Sequence, residues 1–309
     1  MSSQFDVLLE RKRANIAEIL VHGSLCWVHG NDVIHNIGGD PLIYGRSLMK
    51  PFQMKVFKSE LNDLKLEQQA ISVASHSGTQ KHIEMAQSLL NKSDWHKLQT
   101  PISSALGGNS DEKSRWHHPC SGKHAGIILG CIKKGWPTDD YLSQNHAYHK
   151  SFMYQLELAM GEKQEGLVAC PDGCGLPTLN HYLSDLAKSF SYLAKESNND
   201  WIWSAMTTHS WYIGGDGRMD SEIMQACAGK VLAKEGADGL LGLAIKDEHY
   251  PDGLGIVLKI AHGRDEQSMK LIAQSIIDYL GFEWYVEETN SEQVAHVKNG
   301  VLPNKNAYK

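Results

Sequence analysis

Ser47 and Lys50 stand three residues apart in Gly45-Arg46-Ser47-Leu48-Met49-Lys50-Pro51-Phe52-Gln53, with an arginine beside the serine. Helical residues three apart share a face, so the hydroxyl and the amine can meet. A serine hydroxyl attacks a carbonyl only when a neighbour takes its proton, and a lysine can do so only when burial or nearby positive charge lowers its pKa. The same spacing also suits an ordinary surface helix, so the pair acquires meaning only in company. Ala74-Ser75-His76-Ser77-Gly78 adds two hydroxyls and an imidazole at the end of an apolar segment, either as a cap and turn or facing a cavity. His117-His118-Pro119-Cys120-Ser121-Gly122-Lys123-His124 crowds a thiol, an amine and three imidazoles ahead of an apolar run. Cys170-Pro171-Asp172-Gly173-Cys174-Gly175-Leu176-Pro177 sets an acid and two thiols in a backbone constrained by glycine and proline. Thiolate and neutral nitrogen suit zinc, but neither segment has C-x-x-C spacing, and buried free thiols are the alternative. Lys259, alone in the apolar run 254–261, either points to solvent or is buried with a lowered pKa, and beside Lys50 it would depress that lysine too.

These residues need elements to carry them. Segments 16–21, 24–28 and 33–37 are apolar or alternating and are punctuated by His-Gly-Asn-Asp and Gly-Gly-Asp-Pro turns, which reads as a β-meander. Helices are expected over 48–61, 66–74, 81–91, 125–134, 151–160, 179–194, 221–228 and 266–280, with Gly135 and Gly161 as terminators. Segments 239–245 and 253–260 read as a hairpin returning to the first sheet, followed by a last short strand over 282–286. Strands at both ends with helices between them imply an α/β fold: a mixed sheet built from N- and C-terminal segments, with a largely helical lobe. No repeat or linker divides residues 1–309, which read as one catalytic unit with room for two lobes.

Composition narrows the function. A net charge of −6 argues against a phosphate-binding surface, so nucleic acid is not an expected partner. No run of about 18 apolar residues offers a membrane span, and the first residues lack a secretory pattern, so the expected location is the cytoplasm. Six cysteines are too sparse in this length for a disulfide framework. Gly214-Gly215-Asp216-Gly217-Arg218 is glycine-rich but lacks the preceding strand of a nucleotide site.

Taken in order, the segments resemble the L-asparaginase II family, the zinc-containing, Rhizobium-type asparaginases, over residues 9–263. The resemblance rests on Arg46-Ser47-x-x-Lys50-Pro51-Phe52-Gln53, Ala74-Ser75-His76-Ser77-Gly78, Cys120-Ser121-Gly122-Lys123-His124-Ala125-Gly126, Asp172-Gly173-Cys174-Gly175-x-Pro177-Thr178, Gly236-Ala237-Asp238-Gly239 and Gly253-Leu254-Gly255-Ile256-x-Leu258-Lys259-Ile260-Ala261. It implies a fold like the serine β-lactamases and glutaminases, and hydrolysis of L-asparagine to L-aspartate and ammonia through an acyl-enzyme. It further implies Ser47 as nucleophile with Lys50 as base, Ser75 with Lys259 as a second serine–lysine pair, and zinc held by Cys120, Lys123 and Cys174. Arg46, His124 and Asp172 match polar positions around the substrate, and a homodimer is implied by the family alone. Leu48-Met49 and His117-His118-Pro119 depart from the family's usual residues and bear on side-chain specificity. The alternatives are an amidohydrolase of glutamine or a β-lactam-like amide, and a non-catalytic, zinc-stabilised amino-acid-binding protein.

Overall fold

The computed structural model describes residues 5–106, 112–163, 166–287 and 293–304. β1 (Asp6–Arg13) and β2 (Ile16–His29) form a hairpin whose turn residues, Ala14 and Asn15, take φ of 45° and 70°. Positive φ at both central positions is the turn whose twist matches that of the strands. The expected strands 16–21 and 24–28 are thus one continuous strand. β3 (Asp32–Ile37) folds back on β2, and β4 (Leu42–Tyr44) leaves for a second sheet. A one-turn 3-10 helix, Arg46–Met49, runs directly into α1 (Lys50–Lys55), shorter than the 48–61 helix expected because residues beyond Lys55 coil into turns.

The middle of the chain is helical, as expected: α2 (Leu66–Ser72), α3 (Gln80–Gln87), α4 (Ser121–Lys134) and α5 (Ala147–Met160). Gly135 and Gly161 end the last two at φ of 67° and 74°. β5 (Ala169–Pro171) and β6 (Pro177–Tyr182) form a hairpin, with β4 on the other side of β6. The expected helix 179–194 therefore begins later, as α6 (Leu183–Lys195), because Leu179 to Tyr182 are taken up by ladders to β4 and β5. After α7 (Trp201–Thr208) and α8 (Met219–Ala226) come β7 (Val231–Gly236), β8 (Leu240–Ile245) and β9 (Leu254–Ile260), then α9 (Glu266–Tyr279) and β10 (Val294–Val297).

The main sheet has the order β10-β1-β2-β9-β8-β7, with β3 also on β2. It does join the two ends of the chain, but it is not mixed. Every described ladder is antiparallel, because sequential strands meet through hairpins and β9 runs against β2. The segment 282–286 forms no strand. Trp284 and Val286 alternate inward and are buried, which mimics a strand pattern, while the partner of β1 is β10, with Leu9 opposite Val297.

Glycines set how closely the helices approach the sheet and one another. A Cβ on Gly255 would lie 2.0 Å from the Ala187 carbonyl oxygen, so α6 rests on β9 backbone to backbone. One on Gly242 would overlap Phe190 and Leu48, at 2.2 and 2.4 Å. Leu48 is therefore a core residue seated over β8, and it faces away from the site. On α4, Gly122, Gly126 and Gly130 recur every four residues along one face, where added Cβ atoms would meet Ile71 of α2, Ser72 of α2 and Phe57 just past α1. That face lets α4 press against α1 and α2 and brings its first turn to the end of α2. Among the described residues, no helix is long and apolar enough to cross a membrane.

Candidate active site

Ser47 and Lys50 share a small cavity whose wall also includes Arg46, Lys123, Asp172 and Cys174. The Lys50 side chain is fully buried, and its Nζ donates to Ser75 Oγ at 2.7 Å and to the Ala74 carbonyl. Burial lowers its pKa to about 8, with Lys234 and Lys123 adding like-charge repulsion and Cys120 opposing them. These two lysines are the cations with the largest effect on Lys50; Lys259, which would have that effect if buried beside it, is not among the largest influences. Ser75 is held at the end of α2 by its backbone N–H, which donates to Ile213 O at 2.8 Å, and by its carbonyl, which accepts from Arg218 at 3.0 Å. His76 is structural: fully buried, its Nε2 is 2.9 Å from Ser121 Oγ at the start of α4.

Lys259 does not reach Ser75. On β9 it lies opposite Leu240 and Ser24, and its amine donates to the carbonyls of Asp238 at 2.8 Å and Ile260 at 2.6 Å. Burial lowers its pKa while Asp238 opposes the shift. Arg46 has a left-handed backbone, φ 48°, pinned by its N–H to Thr178 Oγ1 at 3.1 Å. Its guanidinium spans two carboxylates, donating from Nε to Asp172 Oδ1 at 2.5 Å and from Nη1 to Asp238. Asp172 and Cys174 come from the β5–β6 turn, closed by Asp172 N–H to Leu176 O and Gly175 N–H to Asp172 O.

Cys120, Lys123 and Cys174 converge, all three buried. Lys123 Nζ donates to Cys174 Sγ at 3.3 Å, and the two thiols hydrogen-bond to each other. That bond holds Cys120 well below the ordinary thiol range against the cost of burial, helped by the charges of Lys50 and Lys123. The same bond, with burial, pushes Cys174 up. Burial disfavours the charged Lys123, but the two sulfurs outweigh it and raise its pKa. His124 lies behind this cluster, not at the cavity wall. Its Nδ1 is 2.8 Å from Tyr141 OH, Nε2 has no partner, and burial, reinforced by Lys123, keeps the ring neutral.

The sequence model of the L-asparaginase II family matches residues 9–307 of 309. The chain belongs to the L-asparaginase II family. No curated protein matches it. Membership in the L-asparaginase II family makes the chain an amidohydrolase by class, with asparagine as the small-molecule substrate that class suggests. In this family member, sequence reasoning missed the residues that surround the pairs it named. Asp238 was visible only as part of Gly236-Ala237-Asp238-Gly239. Lys234 and Asp220 form a wholly buried ion pair at 2.7 Å, and Arg218 pairs with Glu235 at 2.9 Å. A lysine directly after the apolar run Val231-Leu232-Ala233 was the available signal, weaker than that of Lys259, which has apolar neighbours on both sides. Among the described residues, no group of three His, Cys, Asp or Glu side chains is placed to hold a metal. The convergent donors here are two thiols and an amine.

Proposed function

We propose that the protein hydrolyses L-asparagine to L-aspartate and ammonia through an ester on Ser47. The observation that carries the reading is Lys50: an amine wholly buried, with its pKa lowered to about 8, in one cavity with Ser47 and bonded to Ser75 Oγ. Such an amine is in part neutral at physiological pH and can accept a proton. On this reading Lys50, directly or through the Ser75 hydroxyl, takes the Ser47 proton as Ser47 Oγ bonds to the amide carbon. The oxyanion meets the backbone N–H of Ser47 at the start of the helix, where such donors lack an intrahelical acceptor. The tetrahedral centre collapses, the C–N bond breaks, and ammonia leaves with the proton returned from the lysine–serine pair. Water, giving its proton to the same pair, then cleaves the ester to aspartate. Arg46 takes the α-carboxylate and a carboxylate beside it the α-ammonium.

Zinc belongs to the proposal. Cys120, Cys174 and Lys123 would hold it, since thiolate and amine donors match its softness, and the surroundings of Cys120 lower its pKa, the direction a thiolate ligand needs. Bound there, it would supply positive charge at the cavity wall. Lys123 would have to lose its proton, so binding is linked to pH. The fold is proposed to be of the serine β-lactamase and glutaminase kind, because Ser-x-x-Lys opens a helix beside an antiparallel sheet.

The test is ammonia release from asparagine and glutamine, with opening of a chromogenic β-lactam measured in parallel, by the intact chain and by Ser47→Ala. Asparagine turnover should dominate, and Ser47→Ala should lower it by several orders of magnitude, on the order of other nucleophile deletions. An Ser47→Ala protein that keeps a tenth of the wild-type rate would overturn the assignment.

A further inference from the structure

We propose that Asp238 is a specificity residue: it holds Arg46 while the site is empty, and it receives the α-ammonium of an amino-acid substrate once the α-carboxylate has taken its place on the guanidinium. The proposal rests on the amidohydrolase reading above and extends it to a residue outside the serine–lysine machinery.

Backbone geometry aims the two side chains at one another. Arg46 is left-handed at φ 48°, an uncommon conformation for an arginine, and is held there by its N–H to Thr178 Oγ1, while Asp238, at φ 62° ahead of Gly239, sits in the tight turn between β7 and β8. Asp238 is the middle residue of the loop between β7 and β8, and Lys259 clamps its carbonyl at 2.8 Å. Its carboxylate is left to reach Arg46 Nη1.

Two carboxylates share one guanidinium, and they are not equivalent. The Asp172 side chain is 15% exposed and fixed in the β5–β6 turn, whereas that of Asp238 is 61% exposed. An exposed ion pair contributes little, so its exchange for another carboxylate costs little. The cavities point the same way. The one that Ser47 and Arg46 line has about 10 Å³, room for roughly one water, so a substrate enters only if a wall gives way. Asp238 borders a second cavity of about 540 Å³, and the Arg46–Asp238 pair therefore stands between the two. Of the other carboxylates bordering the outer cavity, Glu235 is paired with Arg218, Asp265 caps α9 through the Ser268 N–H, and Glu266 pairs with Lys270. A ligand arriving there with a carboxylate and an ammonium on one carbon finds a guanidinium for the first. The carboxylate it displaces is free for the second.

The experiment compares L-aspartate with succinate, which has the same two carboxylates and no ammonium, by calorimetric titration of the full chain. The wild type should bind aspartate about tenfold or more tightly than succinate, the value of one charge-assisted hydrogen bond. Asp238→Asn should weaken aspartate by about that factor and leave succinate within about threefold, erasing the preference. Asp238→Glu, which keeps the charge, should retain part of it, and it guards against a Asn variant that does not fold. In turnover, Asp238→Asn should raise KM for asparagine far more than it lowers kcat. Equal loss of both ligands, a preference intact in Asp238→Asn, or a preference lost as fully in Asp238→Glu would each overturn the role of Asp238. Any of these in a protein that still releases ammonia from asparagine leaves the amidohydrolase reading standing. A wild type that neither hydrolyses asparagine nor binds aspartate sinks both.

Discussion

Replacing Lys234 with methionine should cost the fold more than any other single change near the site. Lys234 and Asp220 are both fully buried, and the lysine amine donates to Asp220 Oδ2 at 2.7 Å and to Glu235 O at 2.9 Å. Asp220 also accepts the N–H groups of Ser221 at 3.0 Å and Glu235 at 3.1 Å. Burial opposes its charge, but Lys234 and Arg218 overcome that and hold its pKa below the ordinary value. Removing the lysine strands a carboxylate without its principal counter-charge, a loss of about 3–5 kcal/mol. At roughly 2 °C per kcal/mol for a chain of this size, the melting temperature should fall by roughly 6–10 °C. A carboxylate with a depressed native pKa stabilises above its unfolded pKa and loses that contribution as pH falls through the native value. The variant, lacking the lysine, has an Asp220 that protonates more readily. Its deficit against the wild type should therefore be largest at neutral pH and shrink towards about pH 4. Urea and thermal melts followed by tryptophan fluorescence at both pH values measure this, and Lys234→Met with Asp220→Asn should recover a good part of the loss. A Lys234→Met protein within about 1 kcal/mol of the wild type, or one whose deficit grows in acid, would refute the reasoning.

The pH–rate curve for asparagine should rise with pH and level off above about 8, because the base works only after losing its proton and burial has brought Lys50 to about 8. A profile flat between about pH 6 and 9 speaks against that base. Lys50→Met and Lys50→Arg should both be inactive, since a guanidinium does not deprotonate, and an active arginine variant would remove Lys50 from the role. Lys234→Met should move the midpoint upward if it folds, because Lys234 is one of the charges holding Lys50 low. Protein purified without added metal should carry about one zinc per chain by elemental analysis. Cys120→Ser and Cys174→Ser should lower zinc content and raise KM together, with a smaller effect on kcat than Ser47→Ala; zinc undiminished in the double variant would exclude these ligands.

Local groupings were legible in the sequence. Ser47 and Lys50 are one turn apart, Cys120 and Lys123 likewise, and Asp172 and Cys174 share one turn, so each pair was visible as neighbours, while the family resemblance is what marked them as site candidates. Helix ends at Gly135 and Gly161 and the β8–β9 hairpin were legible for the same reason, since turns and periodicity are properties of neighbours along the chain. Leu48-Met49 looked like a departure bearing on specificity; Gly236 and Gly242, some two hundred residues away, make Leu48 a core residue, while Met49 lines the cavity. Tertiary structure alone decided that the Lys50 amine meets Ser75, that Lys259 turns to the 236–239 loop, that Arg46 bridges Asp172 and Asp238, and that His124 faces Tyr141. It also decided that β10, and not 282–286, completes the sheet edge at β1. Each of these depends on which of several equally plausible surfaces come together over long separations. A pattern of polar and apolar residues records that a group is buried, but the partner that makes its burial tolerable is set by packing across the whole chain.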